Sequence, residues 1–457
     1  MRYHALATDY DGTLADEGAV APGTVAALER LRESGRKAVL VTGRTLADLA
    51  RVFPRLDLFD RVVAENGALL YRPRTREQAL LGPPPPAAFL HRLRAQGCTP
   101  LSLGRVIVAT LEPNERLVRE AIGALPLQVS CNKGAVMVLP AGVDKRTGLL
   151  AALDELSLSP RGAVAVGDAE NDEPMLAASE CGVAVANALR PLKERADFVT
   201  RGASGQGVQE LIDRLLDDDL RTLLVRRHDL ALGERVGGGA LSLSPFGKRV
   251  LVAGAQAGAG LLVLLTLAGY QCLVLGAAPW PGAPAAPPAL EGLVSLLDSP
   301  RAQVRASLAG LPAAERPAFV ARLLQRLQAL RARTGRPHWI VLEEAHQLVP
   351  VEWAPPFPPR ELGGLLLLTP SPALVAPALL SSIDLALAEG EDAAASLRPF
   401  LEGRAAPSAP PEPGEVLAWS GGRVERVRLA AGQRRPPAGA APAHAAPAAL
   451  AESPQRG

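Results

Sequence analysis

The sequence predicts an α/β protein whose first half is a doubly wound, largely parallel sheet. Through residues 1–216 short apolar runs alternate with amphipathic segments, glycines and prolines punctuate the joins, and acids and hydroxyls gather just after the apolar runs. In open sheets of this kind ligands sit beyond the carboxyl ends of the strands.

The elements follow in order. HALATDYD reads as a strand ending in acids, and Pro22–Ser34 as a helix stopped by Gly35. RKAVLVTGR is a second strand, TLADLARVF a second helix, and DRVVAENGALLY a further strand region. Later, GAVAVGDAENDEPMLAAS gives strand, acidic loop and helix, with CGVAVANA and ADFVT as short closing strands. Between residues 81 and 140 the texture changes: four prolines at 83–86 precede a helix, a strand, a second helix and two strands. This predicts a small α+β insert, or cap, over 81–140 and a core made of 1–80 and 141–216. A second α/β region spans 217–432, and the proline- and alanine-rich tail 433–457 is predicted to be disordered.

Composition excludes several classes. The 457 residues carry 49 Lys and Arg against 47 Asp and Glu, so bulk charge draws the chain to neither nucleic acid nor an anionic membrane. Four scattered cysteines lack any metal-ligand spacing, which argues against a zinc site or disulfide framework and for a reducing cytosol. The first residues run straight into a strand, without a signal-type apolar run. Val250–Leu290 is uncharged and long enough to span a membrane, but glycines and Gln256 interrupt it. It reads instead as strand, glycine turn, short helix and strand, so no membrane span is expected.

Chemistry concentrates at four places. Asp9 and Asp11 flank Tyr10 after the first strand, and alternation sends both carboxylates to one side. Crowded carboxylates repel unless a cation lies between them, and hard oxygen ligands suit Mg²⁺. With its charge masked, one carboxylate can attack a phosphoryl group while its neighbour serves as acid and then base. Thr42 and Gly43, in VLVTGR, could hold phosphate oxygens. Lys145 precedes a helix and could neutralise phosphate and Asp9. Asp168, Asn171 and Asp172 share a loop after a later strand, with the two aspartates spaced to close a metal site from the far side. Each signal alone has an ordinary explanation (an Asx turn, a helix cap, a solvated lysine). Together, in this order and each at a strand end, they define a site.

The order DxDGT, TGR, Lys and GDxxND resembles the haloacid dehalogenase superfamily, specifically its Cof-like, type IIB phosphatases, over residues 1 to about 216. The ENGA run at 65–68 belongs to the same resemblance. It implies Asp9 as nucleophile, Asp11 as general acid and base, Thr42 as phosphate ligand and Lys145 as a bridge between phosphate and nucleophile. Mg²⁺ would be held by Asp9, Asp168 and the backbone carbonyl of Asp11, with Asp172 in support. Gly43, Arg44 and Asn171 are expected near substrate. The short cap resembles that of archaeal-type phosphoglycolate or sugar-phosphate phosphatases; within it Arg105 and Asn132 are further candidates, a surface role being the simpler reading.

The second region carries KRVLVAGAQAGAGLLVLLTLAG and PHWIVLEEAHQLVP, which resemble the phosphate loop and Walker B strand of RecA-like ATPases of the DNA-translocase and conjugative-transfer kind, over about 225–402. With Gly258 and Gly260 aligned to the loop glycines, Leu261 and Leu262 stand where Lys and Ser/Thr are needed. Glu343 and Glu344 take the acidic positions. Loss of the lysine predicts no appreciable ATP turnover. The expected function is therefore Mg²⁺-dependent hydrolysis of a small phosphorylated metabolite. A sugar phosphomutase is one alternative. The other is a binding or regulatory protein whose ATPase-like half recruits nucleic acid or a protein complex.

Overall fold

The computed structural model describes residues 1–280, 286, 288–401, 403 and 409–430; the predicted tail at 433–457 lies outside them. The first sheet has eight strands: β1 (Ala5–Thr8), β2 (Lys37–Val41), β3 (Arg61–Ala64), β4 (Leu69–Arg72) and β5 (Glu77–Leu80), then, beyond an insert, three more. The insert's own sheet is β6 (Ser102–Leu103), β7 (Val108–Leu111), β8 (Leu127–Asn132) and β9 (Ala135–Pro140), backed by helices Ala87–Ala95 and Glu115–Ile122. The chain then returns with β10 (Ala163–Gly167), β11 (Cys181–Ala184) and β12 (Phe198–Val199).

The first sheet is ordered β12-β11-β10-β1-β2-β3-β4-β5, parallel from β12 to β3 and antiparallel beyond. From β1 the chain winds one way to β2 and β3, and on its return the other way through β10 and β11. The crevice at that reversal is where doubly wound sheets bind ligands. The stretch DRVVAENGALLY makes two strands, because Glu65 and Asn66 adopt left-handed φ (54° and 52°) and turn the chain back on itself. β5 escaped the sequence reading because EQAL lacks an apolar face.

The second half forms a ten-stranded sheet between Leu230 and Leu429. The uncharged stretch resolves into strand Arg249–Ala253, helix Ala255–Leu267 and strand Cys272–Gly276, and among the described residues no helix is long and apolar enough to cross a membrane. Apolar side chains from both faces of this sheet form two cores, one including Leu251, Leu273 and Leu342 and the other Val250, Leu261 and Trp339. The two halves touch through buried polar groups. Arg336, held within the second half by the Leu297 carbonyl (2.6 Å), donates across to the carbonyl of Ser157 (2.7 Å), and Arg161 donates to that of Ala268 (2.9 Å).

Candidate active site

The aspartates and the threonine of the site sit just past the ends of three neighbouring strands. Asp9 follows β1, Thr42 follows β2, and Asp168 and Asp172 follow β10. Lys145 opens the helix Lys145–Glu155, whose N-cap Asp144 forms a capping box with Thr147. A cation at a helix N-terminus opposes the helix dipole and, buried, has lost its hydration. Two carboxylates offset this: the Lys145 ammonium donates to Asp9 Oδ1 (2.5 Å) and to Asp172 Oδ1 (2.6 Å). Burial alone would lower its pKa, but Asp172 and Asp9 outweigh that and hold it above its ordinary value. For Asp9, burial and then the nearby Asp172 charge push the carboxyl up to about 7, against the pull of Lys145.

The other oxygen of Asp172 accepts from the amides of Asp168 (2.9 Å) and Ala169 (3.0 Å), which fixes the acidic loop. One carboxylate atom from each of Asp9, Asp168 and Asp172 lies within 4.8 Å of the others. Oδ1 of Asp168 is buried without a hydrogen-bond partner, and burial raises this carboxyl as well. An orphaned carboxylate oxygen among three clustered acids fits a hard divalent cation such as Mg²⁺. Gly12 makes the fit possible: its φ is +78°, and a Cβ there would lie 2.3 Å from Asp168 Oδ2.

Asp11 stands apart from that cluster. Its carboxylate takes a two-point contact from Arg44, Nε to Oδ2 at 2.8 Å and Nη2 to Oδ1 at 2.7 Å, and Arg44 also pairs with Asp48. Arg44, expected near substrate, thus holds the expected acid. Thr42 is buried, and its hydroxyl accepts from the Arg44 amide (3.1 Å). Gly43 lies under the cap, where a Cβ would meet Met137 Sδ at 3.5 Å. Asn171 donates to Asn66 Oδ1 (3.0 Å) and lines, with Asn132, a cavity of about 530 Å³ between core and cap. Arg105 does not line it; its guanidinium pairs with Gln78 (3.0 Å).

Three residues escaped the sequence reading. Lys133, in the cap, pairs with Asp168. Glu65 is buried, and its carboxylate accepts from three cap amides: Arg105 (2.9 Å), Val106 (2.8 Å) and Ile107 (3.0 Å). Asn187 donates to the Gly12 carbonyl (2.7 Å). Of these only Glu65, inside ENGA, carried a sequence signal.

In the second half the glycine-rich segment does not form a cradle. The helix begins at Ala255, so Gly258 and Gly260 lie inside it, a correction to their alignment as loop glycines. Alanine favours helix directly after Gly254, and Glu389 satisfies the exposed amides, accepting from Gln256 N (2.8 Å) and Ala257 N (3.1 Å). Glu343 is paired with Arg305 at 2.9 and 3.0 Å.

Fold and site together define a hydrolase whose three clustered acids could hold a cation at the switch point of a doubly wound sheet. The chain belongs to the haloacid dehalogenase-like hydrolases, whose family model matches residues 6–81 and 114–212. It is 30% identical over 220 residues to a phosphoglycolate phosphatase of Methanothermobacter thermautotrophicus, covering 46% of this chain and 98% of the relative. With the phosphoglycolate phosphatase of Haloarcula marismortui it shares 34% identity over 218 residues, 45% of this chain and 95% of the relative. A solved haloacid dehalogenase-like hydrolase from Bacteroides thetaiotaomicron is 20% identical, with a TM-score of 0.41 over 47% of this chain and 99% of that one.

Proposed function

We propose that residues 1–216 are a Mg²⁺-dependent phosphomonoester hydrolase working through a phospho-aspartate on Asp9, with 81–140 as a type IIB-like cap and a phosphoglycolate- or sugar-phosphate-type substrate. The observation that carries this is the buried Lys145 ammonium between Asp9 and Asp172, beside the unpartnered oxygen of Asp168. The relatives' activity supports the substrate class.

Asp9 and Asp168 would hold Mg²⁺, with Asp172 behind them; bound there, the ion would neutralise phosphate charge. Lys145 steadies the Asp9 carboxylate facing the phosphorus. Asp9 forms the new P–O bond as the ester P–O bond breaks, and the leaving alkoxide takes a proton from Asp11. Water then attacks the acyl-phosphate, its proton passing to the Asp11 carboxylate, and phosphate and Asp9 are restored. Asp11 must release Arg44 to act, so that pairing is a resting arrangement. The test is phosphate release with Mg²⁺ from phosphoglycolate, hexose phosphates and nucleotides, for wild type and Asp9→Asn. A lost nucleophile should cost about a thousandfold or more; a variant keeping a tenth of the rate would end the phospho-aspartate mechanism. Release without a sugar acceptor would also count against a phosphomutase.

For residues 217–432 we propose a degenerate P-loop ATPase-like domain kept as a scaffold or recruiting surface for protein or nucleic acid. Two internal contacts favour it: the Glu389 carboxylate occupies the helix N-terminus where a phosphate would bind, and Arg305 neutralises Glu343. ATP turnover abolished by Glu344→Gln would refute it.

A further inference from the structure

The cap brings one cation to the mouth of the active site, and its backbone is strained to do so. Lys133 and Gly134 form the two-residue turn between β8 and β9, both with left-handed φ (46° and 82°). Asparagine, aspartate or glycine is the ordinary choice at the first position of such a turn, and a strained residue of another type calls for a functional reason. The Lys133 side chain reaches out of the cap onto Asp168 in the core, 35 residues away in sequence. It is the only cation among the described residues lining the cavity, whose walls also carry Glu112, Glu115 and Glu170.

We infer that Lys133 is the specificity residue that reads a second anionic group on the substrate, a carboxylate borne close to the phosphate ester. This rests on the phosphomonoesterase reading above. Asp168 lies in the same carboxylate cluster as Asp9, so an ammonium resting on Asp168 is one side chain away from the attacked phosphorus. An anion held there must be joined to the phosphate by a short spacer, as in phosphoglycolate. The acidic walls beyond repel an anion on a longer arm. A neutral or purely hydroxylated substrate makes no use of the ammonium.

The discriminating pair is phosphoglycolate and ethyl phosphate, equal in spacer but differing in the carboxylate. The variant is Lys133→Asn, which removes the charge and installs the residue the turn prefers, so its fold should be kept or stabilised. Lys133→Arg restores the charge. Wild type should favour phosphoglycolate in kcat/KM, mainly through KM. Lys133→Asn should shrink that preference by about tenfold or more, and Lys133→Arg should recover part of it. Calorimetric binding of the two compounds to Asp9→Asn, with and without Lys133→Asn, should show the same loss without turnover. Three results would overturn the inference: a wild type without preference, a preference unchanged in Lys133→Asn, or equal losses on both compounds. Hydrolysis of neither compound by a wild type that releases phosphate from hexose phosphates would overturn the inference and leave the phosphatase reading standing; no release from any of these substrates would remove both.

Discussion

Replacing Glu65 by alanine should unlatch the cap from the core. Its carboxylate is the acceptor for three consecutive cap amides, at 2.8–3.0 Å, from a position on the core between β3 and β4. Truncation leaves these amides without their partner. Arg105 is exposed, so its amide can turn to water, whereas Val106 and Ile107 are buried and theirs cannot. Two unsatisfied buried amides at about 1–3 kcal/mol each put the cost at about 2–6 kcal/mol. Glu65→Gln should cost less, since its carbonyl oxygen can still serve the Val106 and Ile107 amides while its NH₂ opposes that of Arg105. Amide hydrogen exchange localises the effect: protection at 105–107 and along β7 should fall by the factor matching the lost stability, with β1, β2 and β10 unaffected. A cap free to swing should also raise KM more than it lowers kcat. If Glu65→Ala unfolds within about 0.5 kcal/mol of wild type, the change typical of a surface substitution, and 105–107 exchange as before, the latch is not an energetic one.

Gly12→Ala should cut activity by about a hundredfold while the fold persists, because its Cβ displaces the Asp168 carboxylate and misplacement of about 1 Å costs that much; near-normal turnover would contradict the packing described. Replacing Mg²⁺ by Ca²⁺ should inhibit, since the larger ion accepts looser coordination, and full activity in Ca²⁺ would count against the site as drawn. Acid should weaken the protein between about pH 6.5 and pH 4. Burial holds His4 and His228 down to about 4 and His338 to about 3. The folded state therefore favours neutral imidazoles, their contribution is complete above the unfolded value of about 6.5, and it is lost as pH falls and the unfolded chain takes up protons. Denaturant midpoints at pH 7, 5.5 and 4.5 should drop in that order; a flat series would mean these rings are solvated.

What the sequence determined on its own was whatever local pattern encodes. Alternating apolar runs and helices specified the parallel sheet, because a strand buried on both faces needs a continuous apolar run. Acids placed directly after those runs marked Asp9, Asp168 and Asp172, since a doubly wound sheet presents all its strand ends on one edge. Lys145 was legible only in company, its position ahead of a helix being ambiguous until Asp9 and Asp172 close around it. The tertiary structure alone decided the contacts between distant segments whose residues carry no pattern of their own. Arg44 engages Asp11 from 33 residues away, Lys133 reaches Asp168, Glu65 gathers amides some 40 residues on, and Glu389 caps a helix 133 residues before it. A lone charge in a sequence is ordinarily a solvated one. Only the folding of the cap over the core, and of one sheet edge against another, gives such a charge a fixed partner and so a role.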